Sequence, residues 1–235
     1  MMQFSGRFNW IISTEQALDI VKSLSRPGKM PCPGYSIPAK NCITGSQLAK
    51  QKGTICNECY AMRGWYPKRE DFLQARQDAL QHPEWIDAMS FLILDQNMPF
   101  FRWHDSGDLQ GMWHLEKILE VVKNTPDCKH WLPTREYGII QDYWRQHGRK
   151  SLSKSFPNLC IRLSATMFDG ELPTTLAKMM GVQVSGVNTT DYTCPAYDGT
   201  PEHTYIDHGE VINGACGPCR KCWNQDVFSI IYRRH

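Results

Sequence analysis

Cys216, Cys219 and Cys222 stand at C-x2-C-x2-C spacing in GACGPCRKCW. Each intervening pair lets the chain turn back, so successive thiolates converge on a small thiophilic inorganic core. With Cys194 in TCPAY the group reaches four thiolates. Four complete a [4Fe–4S] cluster with no open iron, or a tetrahedral zinc site. A triple run at x2 spacing favours the cluster, because zinc sites more often pair two C-x2-C knuckles. A second group, Cys42, Cys56 and Cys59, lies in NCITGSQLAKQKGTICNECYA. Three thiolates leave one iron of a cubane without a protein ligand and open to a small molecule. Cys32 in KMPCPGYS is either a fourth ligand that closes this site or an ordinary loop thiol. Cys128 and Cys160 stand alone, and Cys160, inside the apolar run NLCIRLS, reads as a buried core thiol.

These groups need elements to position them. Residues 14–24 read as an amphipathic helix with Ser13 or Thr14 as its cap. The stretch 26–53 is rich in Pro, Gly, Lys and Cys and reads as a long functional loop, with one turn at SQLAK. Helices are expected over 70–80 and 84–94. Strand-like runs then alternate with helical ones: strands at 100–104, around 130–132, at 159–165 and at 182–187, helices at 113–123, 137–148 and 172–180. That alternation predicts an α/β fold with a partial parallel (β/α) barrel of five or six strands. In such sheets chemistry collects beyond the carboxyl ends of the strands. Those ends carry His104, Asp105, Ser106, Asp108, Thr134, Arg135, Glu136, Ser164 and Asn188. The alternation stops after Thr190. Residues 1–190 are therefore expected to form the barrel-like unit and 191–235 a small cysteine-rich iron–sulfur module, stapled by its metal.

Composition narrows the classes. The chain has 235 residues, a formal net charge of +2 and ten cysteines. It is long enough to bury a core, and its bulk charge does not mark a polyanion binder. No apolar run approaches membrane-spanning length, and the N-terminal MMQFSGRFNWIISTEQ lacks the pattern of a secretory signal, so a cytoplasmic protein with reduced, metal-bound cysteines is expected. No P-loop, G-x-S-x-G or H-E-x-x-H motif is present, which removes the common nucleotide hydrolases, serine hydrolases and zinc proteases. Among the histidines, His104 at a strand end is a candidate ligand or acid/base group. His114 reads as solvated on a helix surface, and His203 and His208, flanking Asp207, as a solvated loop.

The CNECYA segment, set before an alternating α/β pattern, resembles the cluster loop of radical S-adenosylmethionine enzymes. In that superfamily three cysteines hold a [4Fe–4S] cluster and the cofactor's methionyl part chelates the fourth iron. The usual spacing is C-x3-C-x2-C, and here the first gap is ten residues longer. Over nearly its full length the chain is also similar to a family of small phage gene products, through SIPAKNCITGSQLAK, CNECYA, FRWHDSGDLQ, HLEKILEVV, WLPTREYGII, IRLSA and CRKCW. The radical-enzyme resemblance implies that Cys42, Cys56 and Cys59 hold the catalytic cluster. It also implies that Ser106, Gly107 and Asp108 receive the cofactor's amino group. Arg135 and Glu136 would then grip its carboxylate and ribose, unless they form a structural salt bridge. Asp108 alternatively serves only as a helix cap.

The resulting expectation is a radical S-adenosylmethionine enzyme with two [4Fe–4S] clusters and a reducing electron donor. A phage origin would suit a modified nucleobase in DNA as substrate, isomerised or otherwise altered. The basic, aromatic stretches Met62–Arg69 and Tyr232–Arg234 would meet phosphates and bases, or are simply solvated surface. The alternative class is a non-catalytic zinc- or cluster-stabilised module that binds nucleic acid or protein.

Overall fold

A computed structural model describes residues 13–207 and 209–234. Residues 1–12 of the N-terminal segment read above for a leader, and His208, lie outside the described residues. Helix α1 (Thr14–Val21) opens with a reciprocal capping box, in which Ser13 Oγ accepts from the Gln16 amide and Gln16 Oε1 from the Ser13 amide. The 26–53 stretch is more ordered than its composition suggests. It holds the short strand β1 (Gly34–Tyr35) and helix α2 (Ile43–Leu48). Neither carries a readable period: β1 has two residues, and α2 buries none of its own.

Helices α3 (Glu70–Ala79) and α4 (Trp85–Asp95) lead into β2 (Phe100–Trp103). The alternation then runs α5 (Met112–Asn124), β3 (Lys129–Thr134), α6 (Tyr137–Gln146), α7 (Leu152–Ser155), β4 (Leu159–Ser164), α8 (Thr174–Met180) and β5 (Gln183–Asn188). Helix α8 starts two residues later than the sequence suggests, because Pro173 sits at its N-cap position. A hairpin, β6 (Thr204–Asp207) and β7 (Glu210–Asn213), and a last strand, β8 (Ser229–Arg233), complete the chain. The main sheet has six strands in the order β1-β2-β3-β4-β5-β8, and every adjacent pair is parallel. Strand β8 thus carries the end of the cysteine-rich tail into the main sheet, beside β5.

Residue alternation gives the two faces different jobs. Phe101, Trp103, Leu132, Ile161, Leu163 and Val184 pack under the helices in the main core, with Leu115, Ile118 and Val122 of α5. The opposite face presents Trp131, Cys160, Arg162, Gln183 and Ile230. Residues 220–228 cover this face near the strands' amino ends: Trp223 packs on Trp131 and Ile230 and donates Nε1–H to the Phe101 carbonyl at 2.9 Å. Toward the carboxyl ends the same face stays open. No helix among the described residues is long and apolar enough to cross a membrane.

Candidate functional site

The open half of the sheet floors a cleft of about 1620 Å³, and both cysteine groups line it: Cys42, Cys56 and Cys59 from one, Cys194, Cys216 and Cys222 from the other. Cys219 is half-buried, close enough to Cys194 and Cys216 for its charge to act on both.

The long gap between Cys42 and Cys56 is folded, not floppy. Cys42 is the residue before α2, and the helix returns the chain to a 3-10 turn (Ile55–Glu58) that carries Cys56 and ends at Cys59. Thr54 caps this turn by accepting from the Asn57 amide at 3.1 Å, and Asn57 Nδ2 donates back to the Ala49 carbonyl at 2.7 Å. The Ile55 amide donates to the Thr166 carbonyl just beyond β4, at 2.9 Å. Gly45 lets α2 lie against the sulfurs. A Cβ there would stand 2.8 Å from Cys42 Cβ, 3.6 Å from Cys42 Sγ and 3.7 Å from Cys56 Sγ. The long interval is thus taken up by a six-residue helix and a turn that still bring Cys42 and Cys56 together beside Gly45. Burial pushes the Cys42 and Cys56 thiols up. Neighbouring Cys59, Asp108 and Glu136 push the same way, while Arg135 pulls Cys56 down.

The C-terminal group is held differently. Arg162, fully buried, spends its guanidinium on backbone carbonyls, among them Lys221 at 2.8 Å, Asn224 at 3.0 Å and Cys222 at 3.2 Å. It fixes the CRKCW turn to the sheet. Gly217, at φ +48°, sits where a Cβ would strike the Glu202 carbonyl oxygen at 2.2 Å. His203 beside it is 6% exposed, with Nδ1 at 3.0 Å from Asp198 Oδ1 and at 3.0 Å from Thr200 Oγ1. His203 is thus a buried anchor for the cysteine run, not a solvated loop residue, because the run packs directly on it. Cys32 belongs here too. It packs with Trp131, Cys222 and Trp223, far from closing the N-terminal set, and burial pushes its thiol up to about 12.

Among the described residues no three His, Cys, Asp or Glu side chains close tightly enough to hold one metal ion. One tetrahedral zinc at Zn–S of about 2.3 Å would draw its sulfurs to roughly 3.8 Å apart. A cluster spreads its thiolates over separate irons and takes a wider ring. The donor sets are all thiol, a chemistry that fits either centre.

A polar network lies between the groups. The Asp105 carboxylate accepts from Ser36 Oγ, from Ser25 Oγ at 3.0 Å and from Tyr66 OH at 2.8 Å, while Tyr60 OH donates to the Asp105 carbonyl. Arg102 Cζ lies 4.6 Å from the centre of the Trp131 ring, and the guanidinium pulls down the Cys32 and Cys216 thiols against burial. Sequence reasoning passed over Arg102 and Ser36, and took Tyr66 only as part of the basic, aromatic stretch Met62–Arg69. The available signal was Arg102 itself, a lone charge in the strand FFRW at the parity opposite Phe101 and Trp103.

Of the residues expected at the strand ends, His104, Asp105, Ser106, Asp108, Thr134, Arg135 and Ser164 line the cleft and Glu136 and Asn188 do not, and several are already engaged. Gly107, at φ +85°, makes a close approach, yet to Ile37, whose Cγ1 would lie 2.3 Å from an added Cβ. Ser106 Oγ donates to the Ile37 carbonyl at 3.0 Å. The Asp108 carboxylate accepts from the Leu109 amide at 2.8 Å, Thr134 Oγ1 at 2.6 Å and the Arg135 amide at 2.8 Å. It clasps the ends of β2 and β3 and caps no helix, since Gly111 holds the N-cap position of α5. Burial raises its carboxyl to about 6 against those hydrogen bonds. Arg135 and Glu136 do not pair with each other. Arg135 Nε donates to the Ala165 carbonyl at 3.0 Å, while Glu136 accepts from both the amide and Oγ1 of Thr44, each at 2.7 Å. Glu136 thereby fixes the start of α2, directly after Cys42. His104, at φ +56°, is 4% exposed with neither ring nitrogen partnered, and burial lowers it to about 3. Its ring meets that of His114, which is fully buried under α5 and not solvated, because that helix turns it onto the sheet.

No curated protein and no solved structure matches this chain. Residues 10–225 match the family model described as Gene product 88, and the chain therefore belongs to that family of phage gene products.

Proposed function

We propose that this protein is an iron–sulfur enzyme of the radical S-adenosylmethionine type, wound as a partial (β/α) barrel whose open face is the active site. The observation that carries the reading is the division of seven thiols into three and four, six of them lining one cleft on a parallel sheet with Cys219 beside it. A purely structural site gains nothing from an incomplete ligand set. Cys42, Cys56 and Cys59 would hold a [4Fe–4S] cluster with one open iron, and Cys194, Cys216, Cys219 and Cys222 a second, closed one. When bound, the open cluster supplies one-electron reduction of a sulfonium cofactor.

The chain's own residues prepare that site. Glu136 orients Cys42 through Thr44, and Gly45 keeps room between the sulfurs. Arg135 and Arg102 place positive charge beside thiolates that burial alone would disfavour. Asp108 rigidifies the strand ends against which a cofactor would rest. The cleft walls limit water around reactive species.

The test is anaerobic reconstitution of wild type and Cys59→Ala. Wild type should hold about eight irons per chain and, once reduced, form 5′-deoxyadenosine from S-adenosylmethionine. Cys59→Ala should keep about half the iron and form none. A colourless protein that binds zinc would establish the non-catalytic module instead.

A further inference from the structure

We propose that the cleft binds single-stranded nucleic acid, with bases stacking on Trp65 and Phe72 and phosphates held by Arg69 and Arg233. This rests on the cleft being the active site and names the class of its substrate. Two basic, aromatic stretches more than 160 residues apart in sequence line the same opening: Met62, Trp65, Tyr66 and Arg69 from one, Tyr232, Arg233 and Arg234 from the other. Trp65 is 69% exposed and Phe72 40% exposed, large apolar rings that folding leaves in water. Each carries a cation on its ring, Lys68 Nζ at 5.1 Å from Trp65 and Arg76 Cζ at 4.5 Å from Phe72. Arg233 Cζ lies 5.8 Å from both the Tyr192 and Tyr197 rings. Aromatic platforms interleaved with cations are what a strand of bases and phosphates requires.

Charge is concentrated here. Among the described residues, nine Lys and Arg line the cleft but only three Asp and Glu, where the whole sequence carries 26 and 24. The rest of the sequence holds more Asp and Glu than Lys and Arg, so the modest total of +2 conceals a concentration of positive charge at the cleft. Of the nine, Lys40 and Arg234 are ion-paired with Glu70 and Glu58. The sulfurs and Arg102 lie inside this rim, where a base stacked in a duplex does not reach, so the strand must be single or the base extruded. A volume of about 1620 Å³ exceeds the roughly 300–1,000 Å³ of an ordinary small-ligand pocket and leaves room for a cofactor and a nucleotide together.

The test uses full-length, anaerobically purified protein and fluorescence anisotropy. The probes are a labelled mixed-sequence single-stranded DNA of about 20 nucleotides, its duplex, and the matching RNA. Single strands of either sugar should bind at least tenfold tighter than the duplex, with affinity falling as salt rises. Trp65→Ala should weaken strand binding about tenfold, and Arg233→Gln should flatten the salt dependence by about one phosphate contact. Trp113→Ala, an exposed tryptophan outside the cleft, should bind as wild type. Equal affinity for duplex and strand, or no effect of Trp65→Ala in a variant with wild-type circular dichroism, overturns the proposal. Strand binding without 5′-deoxyadenosine formation would defeat the radical reading alone; 5′-deoxyadenosine formation without strand binding would defeat this one alone.

Discussion

Glu136→Ala isolates the device that positions the N-terminal thiols. The buried carboxylate accepts two 2.7 Å hydrogen bonds from Thr44, one from the backbone amide and one from the hydroxyl. Hydrogen bonds to a charged acceptor contribute about 1.5–3 kcal/mol each, so losing both costs on the order of 3–6 kcal/mol. The loss falls on α2, which buries none of its own residues and has no other side-chain cap. Local opening should therefore precede global unfolding. Glu136→Gln keeps an acceptor for the amide, and its NH2 meets a hydroxyl that accepts as well as donates, so about 1 kcal/mol is expected. A double-mutant cycle with Thr44→Ala removes only the hydroxyl bond and should return a coupling of about 1.5–3 kcal/mol. Urea denaturation reads the energies, and iron per chain reads the consequence. Glu136→Ala should lose the iron of the N-terminal set and keep that of the C-terminal set. Wild-type iron content and a coupling near zero would refute the positioning role.

Gly45→Ala places a methyl in the gap between the sulfurs and should cost about 1–3 kcal/mol, with iron loss confined to the N-terminal set; an unchanged iron content counts against that gap. Arg162→Met strips several carbonyls of their donor and should destabilise by about 3–5 kcal/mol, read by thermal melting. Cys216→Ala should make the 191–228 stretch protease-sensitive while the N-terminal set keeps its iron, and a wild-type digestion pattern would remove the staple. Asp108, raised from 3.8 to about 6, favours folding below pH 3.8, and that favour is lost as pH rises through 6. Asp108→Asn should therefore change stability differently at pH 5 and pH 7.5, measured by denaturation, and equal shifts at both pH values would show that the carboxyl is not perturbed.

The alternating elements were legible because their cores are periodic. In α5, Leu115, Ile118, Leu119 and Val122 mark a single buried stripe, and the strand runs carry their apolar parity openly. The cysteine spacing likewise announced two groups. What composition hid was order made by distant segments: β1, only two residues long though both are buried, pairs with Arg102 and Trp103 of β2, and α2 is held by Glu136. The strand-end residues were correctly located but not correctly partnered. Asp108 and Gly107 look available in SGD, and only the fold shows that Thr134 and Ile37 occupy them. His114 and His203 looked solvated because a single polar residue on a helix or in a loop says nothing of what packs over it. Cys32 is nearer in sequence to Cys42 yet packs with Cys222, since β1 carries it across the sheet's open face.

The central claim is that Cys42, Cys56 and Cys59 leave one position open toward the cleft. Paramagnetic resonance of the reduced protein tests it most directly, with S-adenosylmethionine labelled with 15N at its amino group and Cys216→Ala used to silence the C-terminal signal. The account predicts a shifted spectrum with resolved coupling to the label. A cluster signal that the cofactor leaves unshifted and uncoupled would contradict it.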